Sequence, residues 1–193
     1  MATIVVPFRG QDGKQRLTPL GDHARAAVAE AMLADVLAAC REVGPTVLAT
    51  APAGLGAAVA DALVSLPNGP VLVVNADVPA VTPRDLRMLL AAIPPDGLAL
   101  VAAEDGTTNA LALESPALFR PLYGPRSSLR FRLLAPSRTL DLPNLVDDVD
   151  TVADLRRLGR RAGRHTQAAL AATRPGAPSV LRAARSPGAV ALP

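Results

Sequence analysis

Val71-Leu72-Val73-Val74-Asn75-Ala76-Asp77-Val78-Pro79 is the stretch on which the fold turns. Four apolar residues with no polar alternation read as a strand buried on both faces, the signature of the middle of a parallel α/β sheet. Open sheets of this kind bind ligands beyond the carboxyl ends of their strands, so Asp77 stands at the mouth of a crevice. There its carboxylate can hold a divalent cation, or it can simply cap the following turn.

The same rhythm repeats on both sides. Residues 3–6 and 46–49 are short β-branched runs, and residues 98–103 and 110–113 are further apolar strands. Asp22 can cap a helix over residues 22–41, with Val28, Met32 and Val36 on one stripe and Leu33, Leu37 and Cys40 beside it. A second helix covers residues 57–65. Thr82-Pro83-Arg84-Asp85 reads as an N-cap, a first-turn proline and an acidic third residue, opening a helix that stops before Pro94-Pro95. Ser115-Pro116 opens a short helix and Ser127 caps another reaching about residue 134. Residues 145–149 read as a last strand, and Thr151 caps a helix through about residue 161. Alternating βα units predict a three-layer α/β/α fold, Rossmann-like, with a mainly parallel sheet. The less regular residues 110–145 leave room for an antiparallel edge.

The length suits one well-buried domain, residues 1–162. Residues 163–193 are rich in Ala, Arg, Pro and Gly and read as a flexible tail, with room for a helical turn or two at 167–172. From Arg156 onward there are eight arginines and no acid, so the net charge of +3 belongs to the end of the chain and the rest is net acidic. With 2% aromatic residues and no Trp, stacking platforms for single-stranded nucleic acid are missing, and no nucleic-acid partner is expected. Cys40 is the only cysteine, which suits a reducing compartment and excludes an intrachain disulfide. No apolar run nears the roughly 20 residues that span a bilayer. The first residues lack the pattern of a signal peptide. A cytoplasmic protein without membrane contact is expected.

Lys14 is the only lysine beside 19 arginines. In a loop with Arg9, Gly10, Gly13 and Arg16, its compact ammonium suits phosphate as a point charge, and the glycines permit close backbone approach. The plain alternative is a solvated surface lysine. Gln15 and the glycine spacing rule out a Walker A loop. Asp147-Asp148-Val149-Asp150 supplies more carboxylates, and in extended backbone Asp148 and Asp150 face the same side. With Asp77 they make an oxygen-rich set suited to Mg²⁺ and phosphate, expected on the rim opposite the ammonium. Helix capping accounts for one acid of this group. Asp105-Gly106-Thr107-Thr108-Asn109 and Tyr123-Gly124-Pro125-Arg126-Ser127-Ser128 look like phosphate cradles, although turns use the same residues. His23 and His165 fit surface positions, and no nucleophile-elbow or Cys–His pattern occurs. The set suits a nucleophile that is already anionic: a phosphate oxygen attacking phosphorus needs positioning and charge neutralisation, not a base.

Gly13-Lys14-Gln15-Arg16-Leu17, Ala76-Asp77-Val78-Pro79, Thr107-Thr108-Asn109-Ala110-Leu111, Tyr123 to Ser128 and Asp148-Val149-Asp150-Thr151 occur in this order. Together they resemble the guanylyltransferases of coenzyme F420 biosynthesis, which act on 2-phospho-L-lactate or phosphoenolpyruvate and are relatives of the molybdopterin-guanylyltransferase-like nucleotidyltransferases. The likeness runs from Ile4 to about Leu158 and implies a nucleotide-diphospho-sugar transferase-like fold. It implies transfer of GMP from GTP to a phosphorylated three-carbon acid, with release of pyrophosphate. Asp77, Asp148 and Asp150 would then hold Mg²⁺, with Asp77 also catalytic, and Thr108, Gly124 and Ser127 would hold the acceptor phosphate. Lys14 and Arg16 would neutralise the triphosphate and the departing pyrophosphate, and Gly54 would help bind the nucleotide.

The chain departs from that family after Ala49. Residues 50–53 stand where a helix and strand are usual, and Gly56 replaces the Asn of Gly-Leu-Asn-Ala-Ala-Leu. That region helps recognise purine and ribose, so two other readings stay open: a nucleotidyltransferase with another nucleotide or phospho-acceptor, and a non-catalytic nucleotide-binding protein. A homodimer is also open.

Overall fold

The computed structural model describes residues 1–9, 14–50 and 54–173. Six strands, β1 (Thr3–Pro7), β2 (Thr46–Ala49), β3 (Val71–Val74), β4 (Leu98–Ala102), β5 (Thr108–Leu113) and β6 (Ser137–Thr139), form one sheet in the order β2-β1-β3-β5-β4-β6. β1 pairs in parallel with β2 and β3, and β4 in parallel with β6; β5 alone runs antiparallel, between β3 and β4. The antiparallel strand is therefore internal rather than an edge. Its direction follows from the short turn 103–107 joining it to β4, because a parallel return would need a crossover.

Three helices, α1 (Asp22–Arg41), α3 (Pro83–Ala91) and α5 (Pro143–Val146), cover one face, and α2 (Leu55–Val64) and α4 (Ser127–Arg132) the other. β3 is buried on both sides as its composition requires: Leu72 and Val74 enter the core under α1 and α3, Val71 and Val73 the core under α2 and α4. The three-layer α/β/α arrangement stands.

Local signals succeed where their partners are close in sequence. Thr82 and Asp85 form a full capping box on α3, and Thr151 and Asp154 do the same on α6 (Val152–Leu158). Two expected caps are not used. Gly21, not Asp22, precedes α1, and Asp22 instead pairs with Arg25 at 3.1 Å. Arg126, in the left-handed region at φ 57°, precedes α4, because the hydroxyl of Ser127 is bonded to Thr108. Residues 145–149 are not a strand. Pro143 starts α5 at its first position, where proline is preorganised, and an extended segment follows whose Val149 N donates to Asp77 O at 2.9 Å. β6, a polar three-residue edge, carries no strand signal in sequence.

The stretch expected as a tail opens with a docked helix, α7 (Arg164–Ala172). Asp35 on α1, only 7% exposed, accepts from the backbone N–H groups of His165 (2.9 Å) and Thr166 (2.8 Å), satisfying donors that a helix start leaves orphaned. Residues 174–193, the remainder of that stretch, lie outside the described residues, as do Gly10, Gly13 and residues 51–53. A Cβ on Gly163 would stand 2.2–2.6 Å from the Asp35 carboxyl atoms. Gly163→Ala should therefore cost about 1–3 kcal/mol in urea unfolding by displacing that cap. An unchanged midpoint would show that α7 docks without Asp35.

The described residues hold a third apolar cluster beside the two that cover the faces of the sheet. It joins Leu17, Val28, Met32, Ala80, Val149, Leu155, Leu158 and Ala162. Leu17, Ala80 and Val149 stand close in sequence to Lys14, Asp77 and Asp148, so one small core anchors all three segments.

Candidate functional site

β1 connects to β2 on one side of itself, and its other neighbour is β3, so the strand order reverses between β1 and β3. Loops diverge at such a point and leave a crevice. The crevice here is a cleft of about 340 Å³ whose lining includes Arg9, Lys14, Asn75, Asp77, Asp148 and Asp150.

Side-chain oxygens of Asp77, Asp148 and Asp150 all lie within 4.8 Å of one another. Val149, fully buried between two of them, points into the apolar cluster and turns its neighbours Asp148 and Asp150 towards the cleft. The alternation anticipated from sequence thus holds, although the segment is not in the sheet. Asp147 faces elsewhere and pairs with Arg157 (3.6 Å) and Arg161. Unit charges about 4 Å apart near a protein surface interact by about 4 kcal/mol, so three carboxylates this close require cations.

Lys14 is the first of them. Its Nζ donates to Asp77 Oδ2 and to Asp150 Oδ1, each at 2.7 Å, and Arg16 reaches Asp150 Oδ2 at 3.3 Å. The ammonium therefore sits between the carboxylates rather than on the opposite rim. Lys14 directly precedes a 3-10 helix, Gln15–Leu20, whose Leu17 is buried in the third apolar cluster. Burial alone would lower the Lys14 pKa, but the Asp77 charge and the hydrogen bonds that the ammonium donates to Asp150 and Asp77 outweigh it and hold the group above its ordinary value.

The two cations leave the set short of positive charge. Asp77 Oδ1 is buried and has no hydrogen-bond partner among the described residues. Burial, and then the charges of Asp77 and Asp150, push the Asp148 carboxyl up to about 6. An orphaned carboxylate oxygen beside two more hard oxygen donors fits a divalent ion. Because Asp148 must be ionised to contribute fully, Mn²⁺ affinity measured by electron paramagnetic resonance should fall as pH drops through about 6 and level off above about pH 7. A flat profile between pH 5 and 7 would remove Asp148 from the ligand set.

Thr108 and Ser127 are also brought together, their hydroxyls 3.1 Å apart and both buried. They lie on the α4 side of β5, and Ser127 N donates to Gly124 O at 3.0 Å. Neither hydroxyl lines the cleft with the three carboxylates; Thr107 and Asn109 do. Asn109 is not free to cradle a phosphate, because its amide donates to two backbone carbonyls of α5. Gly54 precedes α2 at φ 102°, next to Leu55 of the cleft wall. At Gly56 a Cβ would come within 3.0 Å of Pro121, so the glycine lets α2 lie close to that segment. The sequence alone assigns no role to Asn75 and places Asn109 only in a phosphate cradle, since the partners that define both are chiefly backbone atoms distant along the chain. Cys40 is buried and its thiol pushed up to about 12 by burial, with Arg41 opposing, which makes it inert. No helix among the described residues is long and apolar enough to cross a membrane.

No family model matches the chain. The 2-phospho-L-lactate guanylyltransferase of Natrialba magadii is 35% identical over 191 residues, covering 79% of this chain and 80% of that protein. The phosphoenolpyruvate guanylyltransferase of Roseiflexus castenholzii is 34% identical over 193 residues, covering 85% and 90%. Among solved structures, a protein from Desulfovibrio desulfuricans G20 described as a nucleotide-diphospho-sugar transferase superposes with a TM-score of 0.68 over 88% of this chain and 94% of its own, at 18% identity. That likeness concerns the fold; the two sequence relatives carry the family, and with three converging carboxylates at the crevice between β1 and β3 this chain belongs to the 2-phospho-L-lactate and phosphoenolpyruvate guanylyltransferases, a family of nucleotidyltransferases.

Proposed function

We propose that the protein transfers GMP from GTP to the phosphate of phosphoenolpyruvate or 2-phospho-L-lactate in the cytoplasm, releasing pyrophosphate, as a step of coenzyme F420 biosynthesis. The observation that carries this reading is the meeting of Asp77, Asp148 and Asp150 within 4.8 Å at a cleft that also holds Lys14. Mg²⁺ bound by these carboxylates would supply Lewis-acid neutralisation of crowded phosphate oxygens. Lys14, charged across the working pH range, turns its ammonium to the triphosphate. Arg16, with a side chain 77% exposed, is free to follow the departing pyrophosphate.

The family likeness assigns Thr108, Ser127 and Gly124 to the acceptor phosphate. The two hydroxyls are buried outside the cleft and satisfy each other. In that role the segment 124–127 must therefore move when the acceptor binds, freeing each hydroxyl to donate to an anion. The acceptor oxygen attacks the α-phosphorus in line and is already anionic, which agrees with a cleft lined by no histidine among the described residues. Pyrophosphate release from GTP, ATP or CTP against phosphoenolpyruvate, 2-phospholactate and 3-phosphoglycerate tests the assignment. Release with GTP and either of the first two acceptors is expected. Release with another nucleotide alone would transfer the chain to a different specificity, and GTP binding without release would make it a non-catalytic binder.

A further inference from the structure

Two segments far apart in sequence must be aligned for the carboxylates to meet: the turn after β3, which carries Asp77, and residues 147–150, which belong to no strand. A direct backbone link, Val149 N to Asp77 O at 2.9 Å, joins them. A second set of contacts, one layer deeper, is made by Asn109 to the residues just before this segment.

In the pairing of β4 with β5, Val101 faces Ala110 and Ala102 faces Thr108, so Asn109 is an extra residue with no partner across the strand. Such a bulge re-aims a side chain, and bulges favour the neighbourhood of active sites. Thr108 turns towards α4, whereas Asn109, 1% exposed, turns towards α5. Its Nδ2 donates to Leu145 O at 3.0 Å and to Val146 O at 3.1 Å. These are the last carbonyls of α5, groups that a helix end leaves without intrahelical partners. The next residues are Asp147 and Asp148.

The other side of Asn109 reaches β3. Asn75 N donates to Asn109 O at 2.9 Å, and Asn75 Nδ2 donates to Thr108 O at 3.1 Å and, more weakly, to Asn109 Oδ1 at 3.5 Å. Asn75 stands two residues before Asp77. One continuous set of hydrogen bonds therefore runs from the segment bearing Asp77, through the bulge, to the end of α5 and the segment bearing Asp148 and Asp150.

We propose that the Asn75–Asn109 amide pair is a positioning device for the carboxylate cluster: by ending α5 at Val146 and tying that end to β3, it sets the spacing between Asp77 and the pair Asp148 and Asp150. The proposal rests on the assignment of those carboxylates as metal ligands. Neither asparagine needs to touch the ion. A slip of one residue at the end of α5 would put Val149 or Asp147 where Asp148 stands, which is why the device must act at this point in the chain.

Mn²⁺ titration of the nucleotide-free protein by electron paramagnetic resonance tests it, on wild type, Asn109→Ala, Asn75→Ala and the core variant Phe131→Leu. Phe131 lies under the opposite face and serves as a stability control. The Mn²⁺ dissociation constant should rise about tenfold to a hundredfold in Asn109→Ala, the range for residues that orient ligands. It should rise less in Asn75→Ala and stay unchanged in Phe131→Leu, even where its thermal midpoint falls as far. At saturating metal, Asn109→Ala should regain most of its pyrophosphate release. If wild type binds Mn²⁺ and both asparagine variants bind it equally well, the proposal is overturned while the metal reading stands. If wild type binds no Mn²⁺, both fall. Should Asn109→Ala fail to fold, Asn109→Ser and the Asn75 variant decide by the same criterion.

Discussion

Asp77→Asn is expected to lower pyrophosphate release from GTP at least about a hundredfold, since losing one ligand charge at a phosphoryl-transfer centre removes several kcal/mol of transition-state stabilisation. The substitution keeps shape and removes charge. Asp77 contributes one oxygen bonded to Lys14 at 2.7 Å and one that is buried without a partner among the described residues. In the variant an amide group replaces one of these. The fold should survive, because two effects oppose each other. Lys14 loses one of its two carboxylate partners, while repulsion among the three acids is relieved. The charge of Asp77 is one cause of the raised Asp148 pKa, so the pH below which Mn²⁺ binding fails should move down in this variant. Circular dichroism melting beside the release assay separates the outcomes. A folded variant retaining more than a third of wild-type turnover would exclude Asp77 from the chemistry. Asp150→Asn follows the same reasoning, with loss of release and an intact fold.

Much of this centre is legible along the chain because its logic is local. Val71–Val74 is apolar throughout, so it must be a strand covered on both faces, and the residue just beyond such a strand must lie at a rim. Asp148 and Asp150 face one way because Val149 between them is apolar and goes inward. What stays hidden depends on partners that only the fold supplies. Leu145-Val146 followed by acids satisfies a strand pattern as well as the end of a short helix, and the choice is made by Pro143 and by an amide 36 residues upstream. Asp35 on α1 looks like any polar residue on a helix, yet it caps a helix 130 residues later, within a stretch whose Ala, Arg and Gly content suggests a tail. Thr108 and Asn109 are neighbours in one motif. Alternation sends one towards each layer, and the bulge decides which: it puts Asn109 on the α5 side with Ala110 and Thr108 on the α4 side, so only Asn109 faces the cleft. No periodicity records a bulge of one residue.

Lys14→Met should have effects of opposite sign on two measurements. Release of pyrophosphate from GTP should fall by about a hundredfold or more, because the triphosphate loses a desolvated point charge that an arginine fork does not reproduce. Binding of Mn²⁺ to the nucleotide-free protein should become tighter, by about tenfold, or about 1.4 kcal/mol. The second expectation comes from where the ammonium sits. At 2.7 Å from both Asp77 Oδ2 and Asp150 Oδ1 it occupies oxygens that a divalent ion also needs, so protein and metal compete for the same ligands until the triphosphate draws the lysine away. Methionine matches the length of the stem without its charge. The uncompensated carboxylates should then lower the melting temperature of the metal-free variant, and added Mn²⁺ should restore more stability to it than to wild type, since tighter binding to the folded state stabilises it more at a given concentration. Lys14→Arg should keep the cluster neutralised and still lose turnover, which distinguishes a geometric demand for an ammonium from a mere need for charge. Equal or weaker Mn²⁺ affinity in Lys14→Met would mean that the lysine and the metal do not share ligands, and that the contact between Lys14 and the two carboxylates is a fixed brace rather than a place held for another cation.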